Sequence, residues 1–296
     1  MTQQHAPYGG QAVIEGVMIR GQSSMATACR LPNREIRVHK ETLRPLTTRH
    51  RLLSLPIIRG TPALIEALTI GFRSLMWSAN QALEGEGQKP VSNLGYTLTI
   101  SVALVFGIGF FILLPSLAVG RVTHHPFGKN LAEGMLRIAM FIGYVLVISR
   151  MRDIKRLFEY HGAEHKVVNA WEAGEPLELN RMTGYSVIHR RCGTSFILMV
   201  FAVSIVAHAL LGWPAWHWRL LSRLALLPVI AGISYEIVRW SGRRPHSRLI
   251  AVLVAPGLWL QRMTTREPTE DQIEVAARAM REVLEAEAPA QLAADC

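Results

Sequence analysis

Five consecutive residues, His161-Gly162-Ala163-Glu164-His165, bring together two imidazoles and a carboxylate. Histidines at i and i+4 lie one turn apart on the same side of a helix. That spacing lets both imidazoles reach one ion, and a neighbouring glutamate can act as base toward water held on it. The order His-x-x-Glu-His is that of the inverted zinc-protease motif, although so short a pattern also arises by chance. On a helical wheel over residues 151–172, Ile154, Leu157, His161, Glu164, His165, Val168 and Glu172 share one sector. Lys155, Arg156, Glu159 and Lys166 fall on the other side. The histidines and Glu164 are therefore expected on an inward, apolar face, where buried polar groups need partners. A bound cation or an interhelical network would supply them. The plainer alternative is a hydrogen-bonded core pair of histidines.

A second cluster runs His189-Arg190-Arg191-Cys192-Gly193-Thr194-Ser195. His189 and Cys192 are three apart and are expected to complete a three- or four-ligand site, with a thiolate suited to zinc. Cys192 also reads as a candidate nucleophile, activated by Arg190, Arg191 and a helix N-terminus. The ordinary alternative is arginine anchors and a small buried cysteine. Glu15, in a glycine-rich stretch, and Glu236, after an apolar run, are further candidate acidic ligands. Arg239, one turn after Glu236, is its expected ion-pair partner otherwise. His208 reads as a packed, hydrogen-bonded histidine within an apolar segment, and His124 and His125 as loop residues. No Walker or dinucleotide-binding motif is present.

These residues must be positioned by apolar helices. The 296-residue chain is 50% hydrophobic and only 18% charged, with a formal net charge of +10. Its basic residues flank apolar runs, which favours anionic lipid over nucleic acid as the partner. Residues 96–118, 131–149, 194–211 and 220–240 are each expected to cross a bilayer, the last less cleanly because of Arg223 and Glu236. Residues 249–260, interrupted by Pro256-Gly257, are too short to cross and are expected to be re-entrant or interfacial. Glu133 and Arg137 are read as an i,i+4 pair at an interfacial helix end.

Before the apolar runs, residues 1–90 read as a cytosolic or interfacial region. Residues 25–31 and 35–42 are expected to form two strands about a Pro32-Asn33-Arg34 turn. Residues 9–21, with Gly9, Gly10, Gly16 and Gly21, read as a tightly turned loop. Residues 62–82 suit an amphipathic helix in the membrane interface. After the membrane domain of residues 91–262, residues 263–296 begin with a Thr269/Gln272 capping box. They then suit a soluble amphipathic helix that could recruit a protein partner.

Basic residues set the orientation. Arg150, Arg152, Lys155, Arg156, Lys166, Arg181, Arg190 and Arg191 crowd the 150–191 loop, and Arg239, Arg243, Arg244 and Arg248 follow the fourth run. The 120–130 loop has only Arg121 and Lys129, and the 213–218 turn has three tryptophans instead. Both termini and the 150–191 loop are thus expected in the cytoplasm. The start of the chain lacks a signal-peptide pattern. The scattered Cys29, Cys192 and Cys296 imply no disulfide framework.

Four segments together resemble the bacterial YqhQ-like family: residues 9–18 (GGQAVIEGVM), 160–166 (YHGAEHK), 191–196 (RCGTSF) and 256–268 (PGLWLQRMTTREP). The resemblance runs over nearly the whole chain. It implies an integral inner-membrane protein of a family of unknown function, labelled as metal-dependent enzymes. This chain has His189-Arg190-Arg191-Cys192 where family members often have His-Pro-Arg-Cys.

The expectation is a mainly α, polytopic membrane protein with a small N-terminal β element. His161 and His165 would bind a divalent metal, most plausibly zinc, with His189 or Cys192 adding a ligand. Glu164 would serve as base in hydrolysis of a membrane-proximal substrate. The rival readings are a cation-binding transporter and a non-catalytic membrane scaffold.

Overall fold

A computed structural model describes residues 8–48, 51–119, 125–243 and 247–294. The expectations for residues 1–7, Arg121, His124, Arg244 and Cys296 lie outside these. The chain is mainly α-helical with one small N-terminal sheet.

That sheet is an antiparallel meander of β1 (Gly9–Val13), β2 (Gly16–Arg20), β3 (Ser24–Arg30) and β4 (Ile36–Thr42). The two expected strands are β3 and β4. The expected glycine-rich loop is instead the β1–β2 hairpin, with Gly10 opposite Ile19 and Glu15 at φ 51° in its turn. Gly10 serves close approach, since a Cβ there would collide with the Met18 carbonyl and with Glu164.

The helices follow as α1 (Gly60–Gly85), α2 (Asn93–Ile108), a π-helical turn (Gly109–Leu113), α3 (Leu114–Ala118), α4 (Pro126–Ile148) and α5 (Arg152–Glu172). After them come α6 (Leu179–Met182), α7 (Gly193–Leu211), α8 (Trp216–Ala225), α9 (Leu227–Arg243), α10 (Arg248–Thr264) and α11 (Glu270–Ala294). Side chains alternate across the sheet, as strand geometry requires. Val17, Ile19, Ala26 and Ala28 pack with Tyr160, Ala163 and Val167 of α5 and with Ile273, Ala276 and Met280 of α11. Val13, Met18 and Met25 pack with Ile70 of α1, and Thr27 bonds Ser74 at 3.1 Å.

The apolar face of α11 that carries Ile273, Ala276 and Met280 is therefore covered by the chain's own sheet and α5. Its capping box forms, with the Thr269 amide donating to the Gln272 side chain at 2.8 Å. α1 is not simply interfacial. One face meets the sheet and its first turns pack on α9, while Ile65 and Leu68 stay exposed.

Among the described residues, three helical stretches are long and apolar enough to cross a membrane: Leu94–Ala118, Pro126–Ile148 and Gly193–Leu211. α8 and Leu227–Ser241, bent by 42°, make a fourth if taken together. α10 is continuous through Pro256 and packs on α7. The sheet, α5 and α11 pack together, so the chain returns to them after α4 and again after α10.

The Glu133–Arg137 pair is not an exposed helix end. Both are buried, and Arg223 of α8 joins them through two bonds to Glu133. Nor is α5 one-sided, because nearly every residue from Tyr160 to Ala170 is buried. Lys166, expected outside, is buried with its ammonium on the Thr183 carbonyl and Glu267.

Candidate metal centre

α5 lies between the sheet and the segment linking α6 to α7. Gly162 lets it approach the turn after α10, since a Cβ there would collide with the Arg266 carbonyl. The polar side chains of α5 then satisfy backbone that has no secondary structure of its own. Asn169 donates to the carbonyls of Ser186 and Ile188 at 2.8 and 3.1 Å. Such pairing is what an irregular segment needs when it is buried.

The same logic holds the two histidines. His165 Nδ1 lies 2.6 Å from the Val187 carbonyl, and His161 Nδ1 lies 2.9 Å from the carbonyl of Thr264, an unpaired end of α10. A carbonyl only accepts, so both Nδ1 atoms carry the hydrogen. Each Nε2 of the neutral rings is then a lone pair. The rings sit 4.4 Å apart by centroid. His161 Nε2 lies 3.2 Å from Cys192 Sγ. His165 Nε2 is buried with no hydrogen-bond partner; Glu164 Oε2 comes to 3.5 Å without forming one.

Cys192 reaches this point as the N-cap of α7. Its sulfur accepts from the Thr194 amide at 3.5 Å and lies 3.2 Å from the Thr194 hydroxyl. Ligand atoms of His161, His165 and Cys192 all lie within 4.8 Å of one another, the single such group among the described residues.

Glu164 and Cys192 also face a cleft of about 330 Å³ between β1, β2, α1 and the start of α7. Tyr8, Gln11, Arg20 and Arg191 contribute polar groups to its wall, and Met18 and Ile70 apolar ones. Arg20 pairs with Glu66 and Arg191 with Glu172.

Three expected ligands stand apart from this group. His189 borders the cleft, but its Nε2 faces Glu172 at 3.3–3.4 Å, and its ring lies 5.7 Å from that of His165. Glu172 resists the desolvation of partial burial, and His189 and Arg191 hold its carboxyl below the ordinary range. Glu15 chelates the Arg156 guanidinium and accepts from the Tyr160 hydroxyl at 3.3 Å. That pair holds Arg156 above its usual value, and burial first, then the Glu15 charge, pushes the Tyr160 phenol up. Glu236 pairs not with Arg239 but with Arg59, at 2.6 Å to each oxygen.

Sequence reasoning did not identify Gln261. Its amide binds both the N–H and the carbonyl of His189, at 2.9 and 2.8 Å, and donates to Ser195 at 3.0 Å. A lone glutamine in an apolar helix was the available signal. Val187 and Thr264 act only through their carbonyls, which no sequence pattern marks.

The family described as "Protein of unknown function (DUF1385)" matches residues 55–286. An "Uncharacterized protein YqhQ" of Bacillus subtilis (strain 168) is 34% identical over 298 residues, 95% of this chain and 93% of that protein. No solved structure matches.

Proposed function

The chain belongs to the family described as "Protein of unknown function (DUF1385)", which brings no reaction with it, and we propose that it is a polytopic inner-membrane protein with a zinc-dependent hydrolytic centre. The observation that carries the metal reading is the pair of lone-pair Nε2 atoms held toward Cys192. Each ring donates its other N–H to a backbone carbonyl. That is the outer-shell arrangement of metal-ligating histidines, which fixes tautomer and ring orientation. A core pair of histidines would have no reason to leave the Nε2 of His165 buried and unpaired.

His161, His165 and Cys192 offer nitrogen and sulfur donors of the kind zinc takes, and three protein ligands leave a fourth position open. Cys192 and Glu164 both line the cleft, which would give a substrate access. Zinc there would supply a Lewis acid and a nucleophilic water at neutral pH. Glu164, buried at the cleft wall, would accept the proton of that water and return it to the leaving group. Cys192 acts in this reading as a ligand and not as the attacking group, because its sulfur groups with ligand atoms of both histidines. The substrate class is a peptide, lipid or other membrane-proximal compound that the cleft admits.

The membrane reading rests on the apolar helices and on the layer they share. The sheet, α5 and α11 pack together, which supports an even number of crossings between them, with the bent pair α8 and α9 as the fourth. Basic loops then favour the cytoplasm for that layer and for both termini.

Metal analysis of the detergent-purified chain tests the centre. Wild type is expected to carry about one zinc per chain, and the His161→Ala/His165→Ala variant none. Cobalt substitution should give a sulfur-to-metal charge-transfer band that Cys192→Ser abolishes. Absence of stoichiometric metal in wild type, or retention of the band in Cys192→Ser, would overturn the proposal.

A further inference from the structure

The metal reading makes no use of a second polar cluster, buried among α3, α4, α7 and α8. It begins in the π-helical turn, where the Phe111 carbonyl accepts from Arg137 Nε at 2.8 Å. The same guanidinium donates to Glu133 at 2.8 Å and approaches the Ser204 hydroxyl at 3.4 Å. Arg223 donates to both oxygens of Glu133 and to Asn130 at 3.2 Å. Arg219 lies behind them, on Ser116 at 2.9 Å and 4.2 Å above the Trp213 ring.

One carboxylate thus faces three guanidiniums, all four groups buried. Glu133 already accepts from both Arg137 and Arg223, so the excess positive charge has no anion among the described residues. Buried charge of one sign is costly unless it is paired.

A cavity of about 380 Å³ opens beside this cluster. Arg137, Ser204, His208 and Arg223 form its polar end. Its other walls are apolar, among them Leu104, Phe111, Phe141 and Phe201. His208 is 6% exposed, and its Nδ1 lies 3.1 Å from the Ser204 hydroxyl. Arg137 donates to that hydroxyl, which leaves the hydroxyl hydrogen for His208 Nδ1. The proton of the neutral ring is then on Nε2, a donor buried without a partner. Two guanidiniums and an unused N–H converge on one end of an apolar chamber. The chamber has room for roughly a dozen water-sized groups, taking about 30 Å³ for each. Its α2 wall belongs to a helix exposed along its length, so an elongated tail can leave sideways.

We infer that this cavity binds an amphiphile with an anionic head, its carboxylate or phosphate on Arg137, Arg223 and His208 and its hydrocarbon tail along α2. The site is separate from the metal centre. Gly193 begins α7 beside the cleft, and Ser204 follows eleven residues later, about 16 Å along the helix. Failure of either reading leaves the other standing.

The test uses the full chain in zwitterionic nanodiscs, with binding read by native mass spectrometry. The probes are dodecyl phosphate, dodecanoate, dodecanol and inorganic phosphate. One dodecyl phosphate or dodecanoate is expected per chain, at least about tenfold tighter than dodecanol, a difference of roughly 1.4 kcal/mol. The tighter of the two heads identifies the source as a phosphorylated lipid or a fatty acid. His208→Phe should reduce the preference for the anionic head about tenfold. Because that variant touches the polar cluster, Gly107→Leu is the second probe: a side chain there meets open space in the cavity and leaves every polar contact intact. It should weaken both anionic amphiphiles with an unchanged melting temperature. Equal binding of dodecanol, inorganic phosphate displacing the amphiphiles at equal concentration, or undiminished binding to Gly107→Leu would overturn the inference.

Discussion

Replacing His165 by leucine separates a metal centre from a hydrogen-bonded pair of core histidines, because the two readings assign opposite values to one buried nitrogen. In the metal-free protein, Nε2 of His165 is a buried acceptor with no donor. Leucine, of similar bulk, removes that atom and recovers its desolvation penalty, about 1–3 kcal/mol. It also breaks the 2.6 Å bond to the Val187 carbonyl and leaves that oxygen unpaired, a loss of about the same size. Without metal the two changes nearly cancel, and His165→Leu should melt close to wild type. With zinc at about a hundred times its dissociation constant, wild type gains about 2.7 kcal/mol. At roughly 2–4 °C per kcal/mol for a chain of this order, the gain is about 5–10 °C. His165→Leu should forgo most of it. Melting is followed in detergent by intrinsic tryptophan fluorescence, with zinc and again with a chelator. A wild-type midpoint indifferent to the chelator, or the same deficit for His165→Leu in both conditions, refutes the reasoning.

Glu164→Gln keeps the shape of the cleft wall while removing a base. It should retain zinc, and hydrolysis of any peptide or ester that wild type cleaves should fall by about 10²–10⁴; unchanged turnover would remove Glu164 from the reaction. Gly10→Ala places a methyl against the Met18 carbonyl and Glu164, and overpacking of this kind costs about 1–3 kcal/mol. A melting temperature equal to wild type would show that the hairpin does not press on α5. The Glu172 carboxyl lies below its ordinary range, so its pairing with His189 and Arg191 stabilises the fold above the unfolded carboxylate pKa. That contribution is lost as pH falls through the lower, folded value. Glu172→Gln should therefore narrow the stability gap between near-neutral and acidic buffer, and an unaltered pH profile would exclude the linkage.

The candidate site was legible in part, for identifiable reasons. The i and i+4 spacing of His161 and His165 fixes their common face once the segment is helical, and residues 152–172 are helical. The charge-free stretches placed the first and third apolar helices to within two residues, whereas the second begins at Pro126, five residues before its expected start, and the fourth is a bent pair. The glycine-rich hairpin escaped the sequence because glycine marks turns and close approaches alike; here Gly10 is required by the Met18 carbonyl of the neighbouring strand and by Glu164, and not by a bend of its own. Glu133 and Arg137 read as an ordinary helical pair because Arg223, the third member, is 86 residues beyond Arg137 in the chain.

The amino-acid sequence alone determined the local chemistry of this protein: which residues repeat at helical period, which stretches shun water, and which imidazoles share a turn. Those properties depend on neighbours a few residues apart. Packing decided the rest. It chose Cys192 over His189, Glu15 and Glu236 as the group facing the histidines, and it placed the α11 face against β2 and β3. A side chain's partner is set by the distance between elements in space, and that distance follows from how the whole sheet and bundle close on each other.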